Sequence, residues 1–142
     1  MITVMQPQQL NEVMDIWLEA SIQAHHFIPK EEWQQAYALV RDSYIPRSQV
    51  FVWQEDQQVL GFLGLVEHSY IGALFVHPQH QNRGIGAQLL AYCQQREPQL
   101  FLSVFAENIP AIRFYKRHGF SITRKQESDF PGHQEYLMQW QK

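Results

Sequence analysis

The residues able to do chemistry fall into two spaced groups in the second half of the chain. The first is Gln81-x-x-Gly84-x-Gly86, set between a short apolar run and a helical pattern. Glycine has no Cβ, so a ligand can approach the backbone there. Free N–H groups at the positive end of a helix dipole attract phosphate. The second group is Asn108-x-x-Ala111-x-x-Phe114-Tyr115-x-x-x-Gly119-Phe120. Asn108 and Tyr115 are close to two helical turns apart, so an N-capping amide and a phenol share one helix face. Outside these groups, His25, His26, Glu67 and His68 are candidates for moving a proton.

Several function classes are excluded early. The glycine motif lacks the Lys-Ser/Thr of a Walker loop, which argues against nucleotide hydrolysis. It follows a strand of an antiparallel meander, which argues against a dinucleotide fold. The net charge is −3 with no basic run, so nucleic acid is not expected as a partner. Cys93 is the only cysteine, which leaves no disulfide framework and no thiolate cluster, and no metal is expected. No signal peptide and no apolar run of membrane length is visible, so the expectation is a cytoplasmic protein without membrane contact. With 142 residues, 45% hydrophobic and 18% charged, a single domain spanning 1–142 is expected.

The elements that must position these groups follow from periodicity. Residues 2–5 read as an edge strand. Leu10, Val13, Met14, Trp17, Leu18 and Ile22 repeat with the period of a helix, which runs to about residue 24. A second helix is expected over 30–42, closed by Pro46. Strands over 50–54, 59–66 and 70–76 form a meander, with Gly61 and Gly64 marking a bulge or a close backbone approach. A helix from Gly84 to about Arg96 leads to a strand over 100–105, which a crossover makes parallel to a near neighbour. Asn108 caps a helix that ends at His118, with Gly119 as a left-handed C′ residue. Strands over 120–126 and 135–140 finish the chain. The order is β-α-α-β-β-β-α-β-α-β-β. Trp17, Trp33, Trp53 and Trp140 read as packing, and Cys93 as the buried side of its helix.

Val76-His77-Pro78 with Gln81-Asn82-Arg83-Gly84-Ile85-Gly86, followed by Asn108, Ala111, Phe114-Tyr115 and Gly119-Phe120, resembles the GNAT (Gcn5-related N-acetyltransferase) superfamily. Trp17-Leu18-Glu19, His26-Phe27-Ile28 and Leu39-Val40-Arg41 are similar to small bacterial members, some of them regarded as protein lysine acetyltransferases. The resemblance implies an α/β (α+β) GNAT fold. Its mixed sheet has about seven strands, mostly antiparallel with a splayed parallel central pair, flanked by four helices. It implies acetyl-CoA as cosubstrate and a primary amine as acceptor: a protein lysine, a protein N-terminus or a small amine.

By carry-over from the family, the backbone of Leu74, Phe75 and Val76 holds the pantetheine. The N–H groups of Gln81, Asn82, Arg83, Gly84, Ile85, Gly86 and Ala87 hold the pyrophosphate, and Asn108 bonds the cosubstrate from the other side. A backbone N–H at Phe75 or Val76 would meet the oxyanion, and Tyr115 would be the general acid toward the leaving thiolate. His26, Phe27 and Tyr70 are the expected acceptor-side residues, and Phe130 is a further aromatic candidate. Many relatives carry a glutamate where Leu102-Ser103-Val104 stands here, so the base is unassigned and a water chain is one route. The alternative reading is a non-catalytic acyl-CoA-binding or regulatory module. A monomer and a homodimer are both open.

Overall fold

Alternating and continuous apolar runs between residues 49 and 76 build the centre of the molecule. The computed structural model describes residues 1–142. Strands β2 (Gln49–Glu55), β3 (Gln58–Val66) and β4 (Tyr70–Val76) form the predicted meander. Its two turns place Asp56, Gln57, Glu67 and His68 at positive φ, as tight hairpin turns matching strand twist require. β1 (Ile2–Val4) adds to one edge, and β5 (Gln99–Phe105), β7 (Gln134–Gln141) and β6 (Ser121–Glu127) follow on the other side. The seven-stranded sheet has the order β1-β2-β3-β4-β5-β7-β6, antiparallel at every junction except β4 with β5.

Two helical layers cover the two faces. On one face α1 (Leu10–Ala24) and α2 (Lys30–Leu39) bury Val13, Met14, Ile16, Trp17 and Trp33 against Val50, Val52, Val59 and Phe62. The Glu12 carboxylate accepts the Val59 N–H at 3.0 Å and pins the start of α1 to β3. On the other face α4 (Ile85–Arg96) and α5 (Ile109–Arg117) bury Ile85, Leu89, Leu90, Cys93 and Ile112 against Leu63, Leu100, Leu102 and Met138. Burial pushes the Cys93 thiol up to about 12, so it stays protonated and inert.

The second helix departs from expectation. It does not stop near residue 42 but passes through a π-helical turn, Val40–Tyr44, into one further helical turn, α3 (Ile45–Arg47), which contains Pro46. Proline has no N–H to donate and its ring crowds the carbonyl four residues back. The wider π turn moves that carbonyl aside and lets Val40 and Ile45 both reach the core.

Gly61 lets α4 approach the sheet. A Cβ there would stand 3.0 Å from Ile85 Cγ2 and 3.2 Å from the Phe75 carbonyl oxygen, whereas at Gly64 the nearest atom is 3.7 Å away. Gly61→Ala should therefore cost about 1–3 kcal/mol by overpacking. Gly64→Ala should be neutral or slightly stabilising, because a strand glycine carries an entropic penalty of about 0.5 kcal/mol or more. Paired chemical denaturation curves check this; equal stability of the two variants would show that α4 does not depend on the close approach at Gly61.

Candidate active site

β4 and β5 run parallel but share one registered pair, Tyr70 with Phe101, and one flanking bond, Phe101 N–H to the Ser69 carbonyl at 2.8 Å. Each strand is committed elsewhere. β5 pairs with β7 along its full length, and β4 follows β3. Gly72 is left without a partner where the register steps between Gly64 and Leu65. Such a bulge bends and twists its strand, here as β4 leaves β5. From Ile71 and Leu102 onward the two edges have no neighbour, and a cleft of about 500 Å³ opens through the sheet.

One arm of the cleft lies on the α4/α5 side. Leu74, Val76, Gly86, Ala111, Phe114 and Tyr115 line it, with Asn108 at the junction. Helical spacing puts Asn108, Ala111, Phe114 and Tyr115 on the inward face of α5. The Asn108 side chain caps that helix by accepting the Ala111 N–H at 3.3 Å. Tyr115 is half-buried, edge-on to Phe114 (5.2 Å) and Phe120 (5.5 Å). Burial alone pushes its phenol above the ordinary value, so it keeps its proton at neutral pH.

At the mouth of this arm the chain from Gln81 to Ala87 donates none of its backbone N–H groups to another backbone carbonyl; the first helical bond of α4 is Gln88 N–H to Gly84. Gly84 sits at φ +81°, in the left-handed region, and turns the loop into the helix. Consecutive free N–H groups at a helix start suit an anion. Arg83 faces away from the cleft: its guanidinium reaches both Glu55 oxygens at 3.0 and 3.1 Å and His80 Nδ1 at 3.2 Å, anchoring the loop to β2. Trp53 and Arg83 together hold the Glu55 carboxyl below its usual range. The Gln81 amide donates to the Val76 carbonyl (3.1 Å) and to Gln23 on α1 (2.9 Å) across the cleft mouth.

The other arm lies on the α1/α2 side, lined by Ala73, Phe75, Phe105, Phe130, Trp17, Ser21, His25 and Trp33. Its walls are mainly aromatic, and no charged side chain lines either arm. Ser21 Oγ, His25 Nδ1 and Trp33 Nε1 are buried without a well-formed hydrogen bond. Burial lowers the His25 pKa to about 4, against an opposing pull from a hydrogen bond to the Ser21 backbone, so the ring is neutral at physiological pH.

The cleft therefore brings together Leu74, Phe75, Val76, Gln81, Gly86, Asn108 and Tyr115 from the sequence reading. Asn82, Arg83 and Gly84 are exposed on the loop, Ala87 is half-buried, and the Ile85 side chain is in the core, so Ile85 offers the cleft backbone only. On the acceptor side His26 is exposed and outside the cleft. Phe27 packs behind the lining, against Phe105 (5.6 Å) and His133 (5.5 Å). Tyr70 stands at the lip, its hydroxyl donating to Ser103 at 3.0 Å. Glu67 and His68 occupy the β3–β4 turn, away from the cleft. Trp17, Ser21 and Trp33 were absent from the sequence-based site. One signal was available: Ser21 is a polar residue, four positions from Trp17 and from His25, on the face of α1 that packs inward. No group of His, Cys, Asp or Glu is arranged to hold a metal ion.

Comparison with known proteins places this geometry. Residues 46–122 match the profile of the acetyltransferase (GNAT) domain family. The chain is 39% identical over 140 residues to the peptidyl-lysine N-acetyltransferase YiaC of Escherichia coli K12, covering 99% of this chain and 96% of that protein. It is 31% identical over 119 residues to the peptidyl-lysine N-acetyltransferase YjaB of the same organism, covering 83% and 80%. The solution structure of apo YjaB from Escherichia coli superposes with a TM-score of 0.85 at 26% identity, over 99% of this chain and 96% of that one. The PaiA N-acetyltransferase of Thermoplasma acidophilum, solved in complex with coenzyme A, gives 0.80 at 15% identity, over 100% and 99%, and shares the fold.

The neutral His25 has a consequence for stability. Its folded pKa, about 4, lies below the ordinary 6.5, so the unfolded chain takes up a proton that the folded chain refuses. The associated stability is fully present above pH 6.5 and is lost as pH falls toward 4, about 2 kcal/mol of it between pH 7 and 5. Melting temperatures measured from pH 7 to 5 should fall more steeply for the natural chain than for His25→Phe. Parallel curves would mean that His25 is protonated inside the fold.

Proposed function

Since the chain belongs to the GNAT acetyltransferase family, we propose that it transfers the acetyl group of acetyl-CoA to the side-chain amine of a peptidyl lysine, as one catalytic domain spanning residues 1–142. The observation that carries the reading is a cleft that crosses the sheet between β4 and β5. One end carries partnerless N–H groups, Tyr115 stands in its wall, and an uncharged aromatic arm forms the other end. The names of the two relatives support lysine as acceptor. No helix is long and apolar enough to cross a membrane, and the reading includes a cytoplasmic location, with acetyl-CoA as the soluble cosubstrate.

The residues fit the cosubstrate. The unpaired edge of β4 at Leu74, Phe75 and Val76 offers backbone groups to the amide-bearing pantetheine, which binds as an added strand would. The loop from Gln81 to Ala87 offers N–H groups to the pyrophosphate. At Gly86 a Cβ would stand 3.7 Å from Val76 and 3.8 Å from Phe114, occupying space between loop, strand and α5. Acetyl-CoA supplies an activated thioester.

The chain's own residues manage the protons. A lysine amine has a reference pKa of about 10.4, so only about one in a thousand is neutral near pH 7.4. The aromatic arm has no carboxylate to stabilise the ammonium form, and desolvation there favours the neutral amine, which must be the attacking species. Tyr115 retains its proton and stands in the arm that holds the cosubstrate, where it can give that proton to the departing sulfur.

Tyr115→Phe should lower turnover at least tenfold while acetyl-CoA affinity stays within about twofold, since the ring is kept and one hydroxyl is lost. Release of free CoA thiol with lysine peptides, and mass detection of the acetylated product, make the measurement. Turnover within a factor of two of the natural chain would reduce Tyr115 to packing. Acetyl-CoA binding without thiol release, across lysine peptides and small amines, would make the chain a binding module.

A further inference from the structure

The most confined polar contact that the chemistry above does not use is His25 against Asn108. His25 closes α1 and is 8% exposed. Its ring stacks on Trp33 (5.1 Å between centroids, 30° between planes) and meets Phe105 (5.0 Å) and Phe27 (5.8 Å) edge-on. A phenylalanine would suit this nest better, because His25 Nδ1 has only the Ser21 backbone near it and makes no well-formed hydrogen bond, and a poorly satisfied buried polar atom costs stability. A polar ring in an apolar nest calls for a reason other than packing.

The geometry of the contact supplies one. Asn108 Oδ1 accepts the Ala111 N–H, which turns the carbonyl of the amide toward α5 and its NH₂ group toward His25. Asn108 Nδ2 lies 3.4 Å from His25 Nε2. An amide NH₂ only donates, so Nε2 is the acceptor and the neutral ring carries its proton on Nδ1. The polar groups facing the ring are Asn108 and the Ser21 backbone, and no charged side chain is among its partners. With its one lone pair committed to Asn108, the ring has none to offer an incoming amine.

We propose that His25 is a positioning residue: by accepting a hydrogen bond from Asn108 it fixes the Asn108 amide, and with it the N-cap of α5, in the orientation that receives the pantetheine of acetyl-CoA. This rests on the acetyl-CoA reading above. His25 is then a polar link between the aromatic arm and the cosubstrate arm inside the cleft, as Gln81 with Gln23 is at its mouth. A neutral ring serves this role and a protonated one does not, because a protonated Nε2 would point a second donor at the Asn108 NH₂.

The test is the acetyl-CoA dissociation constant, by calorimetry on the full chain. It compares the natural chain with His25→Phe, His25→Leu, His25→Gln, Asn108→Ala and the double variant His25→Phe/Asn108→Ala. His25→Phe and His25→Leu both remove the acceptor, so either alone suffices if the other does not fold. Each should bind acetyl-CoA about five- to tenfold more weakly, the value of one neutral hydrogen bond, while His25→Phe melts no lower than the natural chain at pH 7. His25→Gln, which places an acceptor oxygen near Nε2, should stay within about twofold. Adding His25→Phe to Asn108→Ala should cost nothing more, since the residue acts through Asn108. Unchanged affinity in the Phe and Leu variants, or additive losses in the double variant, would overturn the proposal. So would an acid limb of kcat/KM that moves in His25→Gln, since that would make His25 the base. A natural chain that binds no acetyl-CoA would instead sink the proposed function, a result that no difference among variants can produce.

Discussion

Two parallel strands that cannot stay together govern this structure. Backbone N–H and C=O groups require partners, and a strand edge inside a sheet normally finds them on its neighbour. β4 and β5 meet at Tyr70 and Phe101 and then part, because β4 is held by the meander and β5 by β7. The edges left behind lie inside the protein, not at its rim. Most exposed sheet edges are a hazard that proteins blunt. Here the edge is flanked by helices on both faces and lines a cleft, which suits the slender amide-bearing chain of the proposed cosubstrate.

The surrounding elements hold that gap open. α4 presses close to β3 over Gly61, which places its first turn and the loop from Gln81 to Ala87 beside the end of β4. α5 starts at Asn108 within three residues of the end of β5, so its inward face forms the opposite wall. On the far face α1 and α2 bring rings from Trp33 and His25 against Phe105, with Trp17 edge-on to Trp33. Each wall is anchored in a core cluster of its own, so neither layer need collapse into the space between them.

Much of this was legible in the sequence, for physical reasons that differ by element. The period of α1, the glycine loop of α4 and the Asn108 cap of α5 are local signals, and the structure reproduces them within a residue or two. The π turn before Pro46 was not legible, since proline marks a helix boundary unless a wider turn absorbs it. The register step that leaves Gly72 unpaired depends on which residue of β3 opposes it, and no local pattern states that. The aromatic arm was hidden for another reason. Trp17 and Trp33 occupy helix positions that a core would also fill, and only the third dimension shows that they stop at a cavity. His25 and His26 are neighbours in sequence, yet the end of α1 turns one inward and leaves the other in solvent.

The absence of charge along the cleft bears on how a proton leaves the acceptor. A carboxylate in the aromatic arm would attract a lysine ammonium but would also stabilise the form that cannot attack, and burial would raise its own pKa. Ser103, hydrogen-bonded to Tyr70, carries a hydroxyl and no carboxylate and cannot take that part. His25 is low in pKa and bound to Asn108. For the proposed transfer what remains is desolvation: an ammonium entering a channel walled by Trp33, Phe105 and Phe130 would lose hydration it cannot replace, which favours giving its proton to water before the amine is seated. The same burial that lowers the amine's pKa raises that of Tyr115, and both shifts favour the neutral forms. A low-dielectric cleft therefore sets the two protonation states the proposed transfer needs, a free amine on one side and a protonated phenol on the other, without a buried charge.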